Sequence, residues 1–389
     1  MQTGALENQP GRLAKTAGYY VAFIILGLST AALGPTLPGL AEQTRSTLSQ
    51  VSFLFAARSL GYLVGSLLGG RLYDRLPGQR VMTVMLLIMA GALALVPGIP
   101  VLWLLAGVLL CLGIGEGALD VGANTLIVWV HGEKVGPFMN GLHFFYGVGA
   151  FLSPVIFAQA ILLSGGIAWG YRLVALSVLP VLLYTCLQTN PAHPGRGEDG
   201  SLAPLKVGPV LAMSVFFALA VGLESAFGGW VYTYARKLDL GDAVTAAYLT
   251  SAYWGALTIG RLAGIPLSIR FQPGRLILAD VIGCTLSLAL ILALPGSRTA
   301  LWLGSLGLGA SIASIFPNTL SFAGQRMTIT GRVTSLFFVG ASLGGMTTPW
   351  FIGQLIEPLG PLSLMWALGA ISLLALGVYA WMIASPRRV

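Results

Sequence analysis

Charge is scarce in this chain: of 389 residues, 9% are Asp, Glu, Lys or Arg and 56% are hydrophobic, with a mean hydropathy of +0.84. Soluble globular domains carry about a quarter charged residues, so a water-soluble fold is excluded. Long polar tracts are also few. Apolar sequence recurs from Ala17 to Ala384, broken only by short patches of Gly, Pro, Lys, Arg and Asp, which excludes a single-pass anchor. Period-two alternation is missing too. A membrane barrel would show alternating segments of roughly ten residues, whereas a spanning helix needs roughly 20 apolar ones, so helices cross the bilayer. Cysteine is down to three, Cys111, Cys186 and Cys284, all inside apolar runs and without metal or redox spacing; they read as small packing residues. The sequence holds no Walker loop, Rossmann fingerprint or metal-binding cluster, so neither cofactor nor metal is expected. The first sixteen residues are polar, which reads as a retained N-terminus rather than a cleavable signal.

What is present is a series of apolar runs between breakers. Six spans fall near 17–40, 51–72, 79–97, 101–127, 137–162 and 168–187, and six more near 207–235, 244–268, 275–295, 299–321, 332–356 and 361–384. The expected fold is an all-α integral membrane protein with twelve transmembrane helices in two pseudo-symmetric six-helix bundles. Residues 1–187 form the N-terminal bundle, 188–206 a cytoplasmic linker and 207–389 the C-terminal bundle. Cytoplasmic loops retain Lys and Arg. With both termini inside, fifteen of the 21 Lys and Arg, from Arg12 and Lys15 through Arg261 and Arg270 to Arg387 and Arg388, lie at or near cytoplasmic ends. Only Arg45, Arg236, Lys237 and Arg298 fall in the opposite loops. The net charge of +8 thus reflects topology and contact with anionic lipid in the cytoplasmic membrane, not nucleic acid.

The halves echo each other. Gly70-Arg71-Leu72 with Pro77 to Arg80 after the second span recurs as Gly260-Arg261-Leu262 with Pro273 to Arg275 after the eighth. The stretch GGRLYDRLPGQR, Gly69 to Arg80, resembles the signature of the major facilitator superfamily between its second and third helices. Physically, Gly70 permits close helix approach, Arg71 and Arg75 suit a helix C-terminus at the inner surface, and Pro77-Gly78 makes a tight turn. The resemblance implies a cytoplasmic latch involving Asp74, so Gly70, Asp74, Arg75 and Arg80 are the gating candidates. The second half has no acidic residue from Gly260 to Arg275, so a matching second latch is not expected. Other segments, among them GALDVGANTL at Gly117 to Leu126, HFFYGVGAFLSP at His143 to Pro154 and ASIFPNTL at Ala313 to Leu320, resemble the fucose-proton symporter group and its sodium-dependent glucose transporter branch. That resemblance implies a sugar or related polyol as solute.

A charge in hydrocarbon costs several kcal/mol unless it faces a cavity or a partner, so ionisable residues inside spans are the default functional candidates. In the fourth span Glu116, Asp120 and Asn124 recur every four residues and share one helix face, with Gly113 and Gly117 beside them. The resemblance implies proton coupling at Asp120, with Asn124 as its companion. Glu116 has no such counterpart; as a second carboxylate it would raise the proton affinity of Asp120. The alternative is an ion pair of Asp120 with an Arg such as Arg58, which would only hold helices together. Arg58 lies deeper in the second span than snorkelling explains and reads as a carboxylate or solute partner, a gate or a structural Arg, although a direct pair with Glu116 would have to stretch. Glu224 is the only acid in the middle of the seventh span, and with its neighbours Trp230, Tyr232 and Tyr234 it reads as a polar and aromatic lining for a solute; the alternative is a local hydrogen bond to Ser225 or a neighbouring helix.

In the fifth span Asn140 and His143 share a face, with Tyr146 next to it, offering donors and acceptors to a solute. The tenth span carries Ser314 and Asn318 at helical spacing around Pro317, which breaks the backbone and frees carbonyls for a solute or ion; helix-helix adhesion is the plainer reading. Trp254 in the eighth span is a stacking surface or a packing residue.

These residues describe a secondary active transporter for a small polar solute, with a proton or sodium ion as the coupling ion and alternating access as the mechanism. Each charge moved through 100 mV supplies about 2.3 kcal/mol, enough for roughly fifty-fold accumulation. Multidrug or lipid efflux would need a broad cavity rich in Met and Phe, yet the one methionine cluster is Met82, Met85 and Met89 in the third span. An intramembrane enzyme would need a nucleophile or metal beside its acids, and a receptor or scaffold an output domain. The expected partners are a small-molecule solute and membrane lipid, and the expected state is a monomer.

Overall fold

The computed structural model describes residues 11–191, 207–327 and 331–384, so most of the expected linker and both chain ends lie outside the described residues. Without water in the bilayer core each spanning segment must satisfy its backbone internally, and the described residues contain helices and no strand. The helices are α1 (Arg12–Gln43), α2 (Leu48–Val51), α3 (Phe53–Arg75), α4 (Gly78–Leu95), α5 (Leu102–His131), α6 (Gly136–Ser164) and α7 (Ala168–Leu187). There follow α8 (Val207–Lys237), α9 (Ala243–Arg270), α10 (Pro273–Ala293), α11 (Arg298–Ile312), α12 (Ile315–Gly324), α13 (Gly331–Leu359) and α14 (Leu362–Ala384). With α2 and α3 forming one crossing and α11 and α12 another, these are the twelve expected spans. Eleven are long and apolar enough to cross a membrane by length and composition; α9 has the length, 28 residues, but is the less apolar one.

Two compact units emerge, Met1–Ser46 with Ala57–Gly197 and Thr47–Ala56 with Glu198–Val389. The ten residues Thr47–Ala56 therefore pack with the second unit rather than with the rest of the N-terminal half. Their hydrogen bonds show why: the Leu48 N–H donates to Glu357 Oε1 at 2.8 Å and the Ser49 hydroxyl to Gln354 Oε1 at 2.5 Å, both on α13. Thr47 starts α2 with a capping box, its hydroxyl accepting from the Gln50 N–H while Gln50 Oε1 accepts from the Thr47 N–H.

Inside each unit glycine sets the helix spacing. Where lipid gives helices no hydrophobic drive to associate, small residues allow the close backbone contact that holds them. In the first unit Gly61 and Gly65 of α3 lie against the carbonyls of Leu110 and Ile114 on α5, while Gly113 and Gly117 of α5 lie against those of Arg58 and Tyr62. Gly27 of α1 and Gly149 of α6 meet the same way. The second unit repeats the scheme, with Gly340 and Gly344 of α13 against Ser214 and Ala218 of α8, and Gly309 of α11 against Tyr253 of α9. The close approach expected at Gly70 belongs to its neighbour: a Cβ at Gly70 would meet nothing within 4 Å, whereas at Gly69 it would lie 3.0 Å from Ala118 Cα. Gly69 is the residue that faces α5. Large apolar side chains such as Leu67, Trp103, Leu163 and Trp366 stand exposed on the outside, as a lipid-facing surface requires.

Candidate functional site

In the first unit the glycine contacts between α3 and α5 bring two rungs of polar side chains together. Arg58 and Tyr62 are one turn apart on α3; Glu116, Asp120 and Asn124 are one turn apart on α5. On the first rung the Arg58 guanidinium grips Glu116 with two bonds, Nη2 to Oε1 at 2.6 Å and Nε to Oε2 at 2.9 Å. Its Nη1 donates to the Thr30 carbonyl at 3.0 Å, and the Ser29 hydroxyl donates to Glu116 Oε1 at 2.5 Å. Glu116 is 1% exposed and Arg58 13%. The expectation that this pair would have to stretch is therefore corrected. With Gly113 seated on the Arg58 carbonyl, the two backbones are close enough for a long side chain to cross one turn. The expected like-charge influence of Glu116 on Asp120 also falls, since the guanidinium balances Glu116.

The second rung differs in kind. Asp120 receives the Tyr62 hydroxyl on Oδ2 and the Asn124 amide on Oδ1, the latter at 2.9 Å. It is partly accessible, and among the described residues no Lys, Arg or His forms an ion pair with it. The alternative of an Asp120–Arg58 pair is thus overturned, because Arg58 is already committed to Glu116. On α6, Asn140 and His143 are exposed and Tyr146 partly so. The His143 ring sits edge-on to Phe23 at 5.8 Å, and Tyr146 lies within electrostatic range of Arg58 and Tyr62. Asp74, Arg75 and Arg80 are exposed at the junction of α3 and α4.

In the second unit Glu224 of α8 faces Arg261 of α9, Oε1 to Nη2 3.6 Å. Arg261 was expected at a cytoplasmic helix end. It lies instead nine residues inside the C-terminus of α9, roughly 13 Å along the axis at 1.5 Å per residue, where it meets Glu224. Trp230 is wholly buried and its indole N–H donates to the Pro349 carbonyl at 2.9 Å, so in this structure it packs α8 on α13 and presents nothing to a solute. Trp254 is 5% exposed, and its indole Nε1 has no hydrogen-bond partner among the described residues. A buried donor left unpaired costs about 1–3 kcal/mol, which marks Trp254 as ready to receive an acceptor.

The expected break in the tenth span is present: α11 ends at Ile312 and α12 begins at Ile315. At the break the Ser314 hydroxyl donates to Asp280 Oδ2 at 2.5 Å, and the Asn318 amide donates to Ser314 Oγ at 3.0 Å. Asp280, on α10, is the residue that sequence reasoning missed. The signal was a lone acid in the apolar run of the ninth span, the same rule that singled out Glu224. A second signal lies in the repeat itself, since Asp120-Val121-Gly122-Ala123-Asn124-Thr125-Leu126 aligns with Ser314-Ile315-Phe316-Pro317-Asn318-Thr319-Leu320.

Twelve spans among the described residues, in two units built on one plan and each with acids inside its spans, define a polytopic helical membrane protein of the transporter class. The chain belongs to the Major Facilitator Superfamily, whose model matches residues 19–346. Within it the chain is similar to sodium-dependent glucose transporter 1 of Xenopus laevis, 31% identical over 84% of this chain and 73% of that protein. It is similarly related to the Homo sapiens protein of the same name, 30% identical over 86% and 72%. Human major facilitator superfamily domain-containing protein 4A is 27% identical over 91% and 88%. The crystal structure of the nucleoside transporter NupG superposes with a TM-score of 0.77 at 13% identity, covering 96% of this chain and 99% of that one; at that identity it shares the fold.

Proposed function

We propose that this protein accumulates a sugar or a closely related polyol by alternating access, driven by a proton or sodium gradient. The observation that carries the reading is Asp120: a partly accessible carboxylate inside a span, held by two neutral donors and without a basic partner. Such a group has its charge balanced by a mobile cation, so cation occupancy and conformation become linked. Glu116 stands beside it already neutralised by Arg58 and serves to fix α3 against α5. The relatives named for sodium-dependent glucose transport support the sugar and the cation. Asn124, Asn140, His143 and Tyr146 in the first unit, and Glu224, Trp254, Ser314 and Asn318 in the second, are the solute-contact candidates. The protein works in the cytoplasmic membrane with both termini inside, as a monomer among lipids, without enzymatic chemistry, cofactor or nucleic acid.

Efflux of apolar compounds is disfavoured by the methionines: Met82 and Met89 are 0% exposed and Met85 8%. They fill the packing of α4 on α5, where Gly115 approaches Met89, instead of lining a broad cavity. Uptake of labelled glucose and fucose into proteoliposomes, with sodium and pH gradients imposed separately, tests the proposal. Concentrative uptake of a sugar under one of the two gradients is the expected result. Equal uptake with and without either gradient would overturn the coupling, and uptake of neither sugar the solute class.

A further inference from the structure

We propose that Asp280, Ser314 and Asn318, at the break between α11 and α12, form a sodium site in the second unit. Four observations meet there. Asp280 is an acid inside a span, seven residues into α10, about 10 Å from its start. Among the described residues no Lys, Arg or His forms an ion pair with it, in contrast to Glu116 and Glu224, which each have an arginine. Its bonds are to neutral donors, the Ser314 hydroxyl and the Asn318 amide, and that amide also donates to Ser314 Oγ. The backbone beside it is interrupted, and Pro317 has no N–H to donate to the Ala313 carbonyl, so a main-chain oxygen is freed at the turn formed by Ala313 and Ser314.

Carboxylate, hydroxyl and freed carbonyl are hard oxygen donors, the set that suits a hard cation; the Asn318 carboxamide, which turns its NH2 to Ser314, adds its oxygen once the amide rotates by half a turn. Interrupted helices supply such carbonyls to coupling ions in secondary transporters. One negative charge against several neutral oxygens favours a monovalent over a divalent ion. The position is the repeat equivalent of Asp120, with Asn318 standing where Asn124 stands. In the first unit the carboxylate sits on the repeat position and a neighbouring helix brings the hydroxyl. In the second unit the roles are exchanged: Ser314 holds the position and α10 brings the carboxylate. Cys284, one turn along α10, feels both Asp280 and Glu224, and the Glu224–Arg261 pair is the other charged group of this neighbourhood. The inference shares with the proposed function only the premise that a cation drives the chain.

The test is sodium titration of the purified full-length protein in detergent without sugar, at constant ionic strength against choline chloride, read by the thermal unfolding midpoint. Wild type is expected to gain a saturable sodium-dependent stabilisation. Asp280→Asn is expected to lose it. Ser314→Ala removes one ligand and is expected to raise the half-saturating sodium concentration about tenfold; it carries the test if Asp280→Asn does not fold. An unresponsive wild type, a response to protons alone, or wild-type titration by Ser314→Ala would overturn the site. Loss in Asp120→Asn with retention in Asp280→Asn would move the ion to the first unit. Because no solute is present, failure here leaves the sugar reading standing, and failure of uptake leaves this site standing.

Discussion

The guanidinium of Arg58 meets both carboxylate oxygens of Glu116, at 2.6 and 2.9 Å, in a setting where Glu116 is 1% exposed. Breaking such a pair leaves one charge stranded in a medium that cannot solvate it, at a cost of about 3–5 kcal/mol. Replacing both partners by apolar groups strands nothing. Glu116→Leu alone is therefore expected to lower the unfolding midpoint strongly, and the double variant Arg58→Met with Glu116→Leu to recover most of the loss. A double variant as unstable as the sum of its singles would mean that the two side chains act independently and that their ion pair does not hold α3 to α5. Arg58→Lys is expected to be intermediate, since an ammonium cannot reproduce the two-pronged geometry.

Glycine position makes a second, sharper contrast. A Cβ at Gly117 would press on the Tyr62 carbonyl and lie 2.8 Å from Ser66 Oγ, whereas a Cβ at Gly70 would meet nothing within 4 Å. Gly117→Leu is expected to cost about 1–3 kcal/mol by overpacking, while Gly70→Ala is expected to be neutral or to gain up to about 1 kcal/mol from helix propensity. Thermal melting of the purified variants checks both. A large loss at Gly70 would restore the helix-contact role read from the motif.

How much of this could be read beforehand follows from what lipid enforces. Helices were legible because a backbone in hydrocarbon has no other partner than itself, and α7 (Ala168–Leu187) matches its expected span end to end. Helix ends were less legible where polar side chains continue a helix past its apolar run, as Glu42 and Gln43 do at the end of α1, which runs from Arg12 to Gln43 against an expected 17–40. Proline was an ambiguous marker. Pro35 and Pro38, which by residue type are expected to kink the first span near its outer end, leave α1 helical through to Gln43, with the Thr36 hydroxyl donating to the Ala32 carbonyl at 2.9 Å, whereas Pro317 accompanies a true break. The pairing of Arg58 with Glu116 was not legible. It depends on the register of α3 against α5, which Gly61, Gly65, Gly113 and Gly117 set jointly, and no single-helix periodicity carries that information. Asp280 was legible in type but passed over, since its meaning comes from Ser314 on another helix.

The two buried tryptophans of the second unit are expected to behave oppositely. Trp254 has an indole N–H that no described group accepts, while that of Trp230 is bound to Pro349 at 2.9 Å. Trp254→Phe removes an unused donor, so the melting midpoint is expected to hold. If the solute supplies the missing acceptor, its affinity falls about three- to tenfold, the worth of one hydrogen bond. Trp230→Phe is expected to lose about 1 kcal/mol of stability with affinity little changed. Solute binding by calorimetry alongside melting separates the cases, and an unaltered affinity in Trp254→Phe would remove this residue from the pocket.

Asp120 gives the prediction that most directly joins structure to transport. Its carboxylate is held by Tyr62 and Asn124 and by no basic group among the described residues, which is the basis for proposing it as the coupling group. Asparagine nearly preserves the shape and removes the charge. Asp120→Asn is expected to abolish concentrative uptake under an imposed gradient and to retain solute exchange between equal concentrations, because exchange needs the pocket and the conformational cycle but no net cation movement. Asp120→Glu, which keeps the charge one methylene further out, is expected to retain partial accumulation. Wild-type accumulation by Asp120→Asn would take Asp120 out of the coupling role. Loss of exchange as well would place it in the solute pocket. The Tyr62→Phe variant then serves as the finer probe: it removes one neutral donor without changing charge, so it is expected to shift the cation concentration needed for half-maximal uptake while leaving accumulation itself intact.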